Sequence, residues 1–190
     1  MSLRLFAAIP ITENLKHSFL EFSQESKHKN VRWVDPDNFH ITIQFFGNIA
    51  EKNLEIFSTK LAGLSEKINP FILNFEQIIQ APPQAIPTML WAVFNGNGEY
   101  EKLVYGVSKI AEPYINKKFW NENTMRKKRI PHVTLARSKN RKPMKKLHIS
   151  QPHISKRELK VNSFELWSSE LKPSGAKYTT LNTFTFNFGD

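Results

Sequence analysis

Two tetrapeptides in distant parts of the chain carry side chains that could do chemistry together: His40-Ile41-Thr42-Ile43 and His132-Val133-Thr134-Leu135. On a β-strand, successive side chains point to opposite faces. His40 and Thr42 therefore share one face, and Ile41 and Ile43 the other. The same holds for His132 and Thr134 against Val133 and Leu135. Each motif presents an imidazole beside a hydroxyl, backed by aliphatics that belong in a core. Two such strands side by side would line a cleft with two imidazoles and two hydroxyls. That set suits phosphoryl chemistry. A neutral histidine takes a proton from water, and a protonated one gives a proton to a departing oxygen. The hydroxyls of Thr42 and Thr134 can donate to non-bridging phosphate oxygens. Arg137, five residues after His132, is a candidate anion clamp, because a guanidinium matches phosphate bidentately.

One such tetrapeptide means little, since a lone strand histidine is more often structural than catalytic. Two copies, each on an expected strand, carry the signal. His17, His28, His148 and His153 have no comparable setting and read as structural or solvated. There is no His-x-His, no His-Glu-x-x-His and no cysteine, so no metal site is expected, and thiolate zinc sites, disulfides and cysteine nucleophiles are excluded.

Elements able to position the motifs are legible. Residues 3–9 are short, apolar and bounded by Pro10, as in a buried strand. Thr12 offers an N-cap to a helix whose Leu15, Phe19 and Phe22 form an apolar stripe, and 25–31 reads as a loop. Asp35-Pro36-Asp37-Asn38 is a turn cluster. Phe39 to Phe46 reads as a strand ended by Gly47. A helix is expected over 52–66, with Leu54, Phe57, Leu61 and Leu64 on one face. Strands are expected over 71–80 and Met89–Phe94, separated by a proline-rich loop. A helix over 99–115 follows the turn Asn95-Gly96-Asn97-Gly98. Strands then fit Ile130–Arg137, Leu159–Leu166 and Tyr178–Phe188. The strand–helix–motif succession of the first half recurs in the second, which suggests two related lobes.

Lysine and arginine outnumber aspartate and glutamate 27 to 17, for a net charge of +10, and this favours phosphodiester partners. Arg126-Lys127-Lys128-Arg129, Arg141-Lys142 and Lys145-Lys146 could track an RNA backbone. Trp33 or Phe45 could stack on a base, though Phe45 reads as core, and Trp91, Trp120 and Trp167 read as packing. No apolar stretch approaches the ~20 residues of a membrane span, and the short apolar run that carries Arg4 and stops at Pro10 is not expected to be a secretory signal. A soluble, cytoplasmic monomer is expected.

The chain resembles the 2H phosphoesterase superfamily, and within it the RNA 2′,3′-cyclic phosphodiesterases, also called 2′-5′ RNA ligases. The resemblance rests on both motifs with their lead-ins, Arg32-Trp33-Val34, Asn38-Phe39 and Pro131. It extends to Arg4 through Pro10, Leu90-Trp91, the Ala136-Arg137 that follows the second motif, and the stretch from Ser168 to Tyr178. It implies an α+β fold with two pseudo-symmetric lobes, whose antiparallel sheets flank a central cleft with helices outside, in a single domain over 1–190. It implies hydrolysis of RNA or small nucleoside 2′,3′-cyclic phosphates to 2′-phosphates, with neither metal nor cofactor. By position, His40 would be the general acid, His132 the general base, and Thr42, Thr134 and Arg137 the phosphate ligands. The residues alone do not order the two histidines. Two other readings stand beside this one: a protein that binds RNA ends or nucleotides without turnover, and a 2′-5′ ligase running the same chemistry in reverse.

Overall fold

The computed structural model describes residues 1–26, 31–115, 129–139, 143, 144, 149, 151, 154, 157–172 and 175–187. Among these the chain forms β1 (Ser2–Pro10), α1 (Glu13–Glu25), β2 (Val31–Trp33), β3 (His40–Ala50), α2 (Leu54–Ser65), β4 (Phe71–Ala81), β5 (Met89–Asn95), α3 (Gly98–Ala111), β6 (His132–Ser138), β7 (Glu158–Val161), β8 (Ser163–Lys172) and β9 (Gly175–Thr185).

The described strands make one nine-stranded antiparallel sheet in the order β7-β4-β5-β6-β3-β1-β8-β9, with β2 added on β6. The two expected lobes are its halves. The motif strands β6 and β3 meet in the middle, and outward from them β5 matches β1, β4 matches β8 and β7 matches β9. A helix follows the inner flanking strand in each half: α1 after β1 and α3 after β5. The sheet must curl strongly. β7 lies at one end of the strand order and β8 near the other, yet Asn162 alone separates them in the chain. The Asn162 carbonyl accepts from the Phe186 N–H just beyond β9, which closes the curl.

The core lies on the sheet face turned away from the motif side chains. Ile41, Val133 and Leu135 are fully buried there. The apolar stripe of α1 packs on it, with the Phe19 ring 5.7 Å from that of Phe75 and 6.3 Å from that of Phe39. Leu103, Val107 and Ala111 bury the inner face of α3. α2 crosses α3 at Gly106, where an added Cβ would stand 2.5 Å from Leu64 Cδ1.

Several expectations change. β3 does not stop at Gly47 but passes through it at φ 73° to Ala50. The expected strand Leu159–Leu166 is two strands, because the chain leaves β4 in one half at Val161 and in the other joins β9 from Ser163 and β1 from Glu165. Val31–Trp33, partly read as loop, is a strand paired to β6. The helix expected to reach 115 ends at Ala111. Phe45, read as core, is 50% exposed.

The halves touch through the bridge Ile41↔Val133. Cutting Ile41 to alanine leaves a cavity at this junction and should cost about 2–5 kcal/mol, read as a lower urea midpoint with unchanged slope. Loss below ~1 kcal/mol would show that the junction repacks freely.

Candidate active site

The bridge fixes the relation of the two motifs. With Ile41 opposite Val133 in an antiparallel pair, His40 falls across from Thr134 and Thr42 across from His132. All four side chains are half-buried and line one cleft of about 1500 Å³. The sequence expectation of two imidazoles and two hydroxyls on one surface is what the fold assembles.

Strand alternation alone would turn Arg137 away from His132, since the two are an odd number of residues apart. A β-bulge reverses this. Leu90 pairs with Ala136 and Trp91 with Thr134, so Leu135 has no partner in β5. Leu135 and Ala136 both point inward, and Arg137 emerges on the cleft side. β3 repeats the device. Ala7 pairs with Gln44 and Ala8 with Thr42, leaving Ile43 without a partner in β1. Gln44 turns inward to accept from Ser108 of α3 at 3.4 Å, and Phe45 emerges into the cleft. Phe45 and Arg137 thus hold matching positions in the two halves, an aromatic on one side and a cation on the other.

Both imidazoles are tied down in the same way. His40 Nδ1 lies 2.7 Å from the carbonyl oxygen of Asn38, and His132 Nδ1 lies 2.8 Å from that of Ile130. A carbonyl only accepts, so each Nδ1 carries the N–H and each neutral ring keeps its lone pair on Nε2. In neutral His40 that lone pair accepts from the Thr42 hydroxyl at 3.0 Å. Asn38 is itself held, its side chain donating to the Ala176 carbonyl of β9.

The walls differ. His40 sits among Phe6, Trp167 and Tyr178, with ring centroids at 5.0, 5.0 and 5.4 Å. The Trp167 indole N–H donates to Glu165, which also accepts from Thr180. His132 lies flat on Trp91, centroids 3.6 Å apart and planes inclined 19°. Burial pushes the His40 pKa down from 6.5 to about 4; the Asn38 hydrogen bond partly opposes this, and the charges of His132 and Arg137 lower it further. Burial lowers His132 as well, opposed by its bond to Ile130 and aided by Arg137. Both rings therefore rest neutral near pH 7.

Arg137 donates to Met89 Sδ at 3.0 Å and stands opposite Arg32 of β2, which also lines the cleft. Lys172 and Lys177 line it too, against Asp35 and Asp37. Trp33 lies at the cleft with its ring 5.9 Å from Phe22. His17 is solvated and faces Glu21. His28, His148, His153, Trp120 and the basic residues 126–128, 141, 142, 145 and 146 lie outside the described residues. No group of three histidine, aspartate or glutamate side chains able to hold a metal occurs among the described residues. Sequence reasoning missed the aromatic wall of His40 and the stack on His132, because Trp91, Trp167 and Phe6 have the hydrophobicity of ordinary core residues.

A curled sheet built of two matched halves, with a histidine–threonine strand from each facing one cleft, is the architecture of a two-histidine phosphoesterase. Comparison with known proteins agrees. Residues 9–91 match the family described as LigT like Phosphoesterase. The RNA 2′,3′-cyclic phosphodiesterase of Aquifex aeolicus is 30% identical over 155 residues, 80% of each chain. That of Methanocaldococcus jannaschii is 28% identical over 183 residues, 94% of this chain and 98% of its own. The crystal structure of TT0787 of Thermus thermophilus superposes with a TM-score of 0.77 at 25% identity, over 96% of this chain and 97% of that one. E. coli LigT complexed with 3′-AMP shares the fold, with a TM-score of 0.72 at 20% identity over 97% and 98% of the two chains. The chain belongs to the LigT-like phosphoesterase family.

The resting charge state is testable by NMR titration of the ring nitrogens. His40 should stay neutral until the pH falls to about 4. Adding inorganic phosphate should raise the midpoints of both histidines, because an anion stabilises each imidazolium. The unfolded chain binds protons more readily than buried His40, so stability should fall as pH drops from about 6.5 toward 4. A His40 midpoint near 6.5 in the free protein, or one that phosphate leaves in place, would contradict this.

Proposed function

We propose that the cleft hydrolyses RNA or nucleoside 2′,3′-cyclic phosphate ends to 2′-phosphates, without a metal, by proton transfer through two histidines. The observation that carries this reading is the Ile41↔Val133 bridge, which brings both imidazoles and both hydroxyls into one cleft. The curated relatives' name, RNA 2′,3′-cyclic phosphodiesterase, supports the substrate class.

In this scheme His132 Nε2 takes a proton from water as the water oxygen bonds to phosphorus. The bond from phosphorus to O3′ breaks, and protonated His40 gives its Nε2 proton to O3′. The bond to O2′ stays, so the product ends in a 2′-phosphate and a 3′-hydroxyl. Solvent exchange resets the two rings. Thr42 and Thr134 donate to the non-bridging oxygens, and Arg137 meets the charge that grows on them.

The order of the histidines, implied by the family resemblance, gains support from their surroundings. The His40 pKa is pushed down to about 4, which makes its imidazolium a strong acid. His132 lies on the face of Trp91, whose π-density stabilises the imidazolium that a base becomes. The anion that fills the cleft favours the imidazolium that burial disfavours, so His40 takes up a proton from solvent as the substrate binds. Arg32, Lys172 and Lys177 suit a polyanionic ligand, and the exposed Phe45 ring offers a nucleobase a face. We read residues 1–190 as one domain, on the support of a single sheet that runs through both halves.

Incubating the protein in EDTA with an oligonucleotide ended by a 2′,3′-cyclic phosphate tests the reading. A 2′-phosphate product is expected, and His40→Ala and His132→Ala should each lower turnover by at least ~10²-fold. A 3′-phosphate product, a need for added metal, or full turnover in either variant would contradict it.

A further inference from the structure

The two motif bulges are held in different ways. In β6 the carbonyl of the unpaired residue, Leu135, accepts from the backbone N–H of Val34 at 2.9 Å. Val34 follows β2, in the lead-in to the first motif. In β3 the matching carbonyl, that of Ile43, accepts from the guanidinium of Arg129 at 2.7 Å. Arg129 lies in the lead-in to the second motif, three residues before His132. Each motif's bulge is thus fastened by the chain that leads into the other motif, once by backbone and once by a side chain.

We infer that Arg129 is a positioning residue for the hydrolysis proposed above: by holding the Ile43 carbonyl it fixes the β3 bulge, and so steadies Thr42, which directly precedes the bulge, and aims Phe45 into the cleft. The inference rests on that reading of the site. The bulge decides which face each neighbouring side chain takes, since a one-residue slip in a strand exchanges the faces. Here it sends Gln44 inward to Ser108 and Phe45 outward. A charge-assisted bond of this length is about twice as strong as a neutral one. Arg129 is half-buried, and it is close enough to the buried Tyr100 of α3 for the two groups to interact electrostatically. Its side chain borders the cleft, but its Nη1 is committed to the carbonyl. The arginine whose charge reaches both imidazoles is Arg137. Arg129 therefore works on the strand, and Arg137 on the anion.

Arg129→Met, which keeps the bulk and removes the donors, separates this role from others. On the cyclic phosphate-ended oligonucleotide, kcat should fall about tenfold or more while KM stays within about twofold. The dependence of KM on salt should not change. Methylguanidinium should restore part of the kcat lost in Arg129→Ala. Adding Thr42→Ala to Arg129→Met should cost less than it costs the wild type, whereas Thr134→Ala should cost its full amount. The NMR signals of the Ile43 carbonyl and of the Thr42 and Phe45 amides should move. An unchanged kcat, or unmoved signals, overturns the inference. So does a raised KM with a weakened salt dependence, which would mark Arg129 as a direct backbone contact. If Arg129→Met does not fold, Arg129→Leu, which also removes the donors, takes its place under the same criteria. A wild type without turnover would overturn the hydrolysis reading instead, and the NMR comparison would still decide the role of Arg129.

Discussion

Ile41 and Val133 form the bridge between the two halves of the sheet, and the geometry of the cleft follows from it. Both side chains are fully buried on the core face, so apolar packing holds the junction from behind. On the other face the same register brings His40, Thr42, His132 and Thr134 together. Slipping it by one residue would turn the imidazoles into the core and the aliphatics into water, a change opposed by every buried contact of Ile41, Val133 and Leu135. The placement of the polar groups is thus enforced by apolar ones. The surrounding fold serves this junction: each motif strand is backed by its own flanking strand, with a helix between the two in the chain.

The bulges at Ile43 and Leu135 add what alternation cannot. Each lets two consecutive residues point inward and brings the next one out, so the cleft gains Phe45 from one half and Arg137 from the other. The half that carries Arg137 stacks its histidine on Trp91, and the half that carries Phe45 surrounds its histidine with Phe6, Trp167 and Tyr178. Matched backbones with unmatched walls give two histidines alike in tautomer and unlike in surroundings. In the free protein both rings rest neutral beside a cation. In the proposed reaction a bound phosphodiester reverses the local field and makes protonation of one ring favourable.

Much of this was legible in the sequence. The alternation in His40-Ile41-Thr42-Ile43 and in His132-Val133-Thr134-Leu135 sets which residues face the cleft, because the bulge falls only at the last residue of each motif. The stripe of Leu15, Phe19 and Phe22 names the buried face of α1. The repeated strand–helix–motif succession foreshadows the matched halves. Beyond Thr42 and Thr134 the pattern misleads. A bulge depends on the partner strand and leaves no mark in local periodicity, so Phe45 reads as core. The run from Leu159 to Leu166 reads as one strand because its residues are strand formers on both sides of Asn162; its alternation shifts phase at Asn162-Ser163, where the chain passes from one half to the other. The cage around His40 draws on β1, β8 and β9 at once, and no local pattern in the chain connects Phe6, Trp167 and Tyr178.

A crystal structure with a nucleoside 2′-phosphate bound gives the most direct measurement. The account predicts the phosphate between His40 Nε2 and His132 Nε2, with Thr42, Thr134 and Arg137 within hydrogen-bonding distance of its oxygens. A phosphate bound away from either histidine, with the nucleoside occupying the space between them, would contradict it.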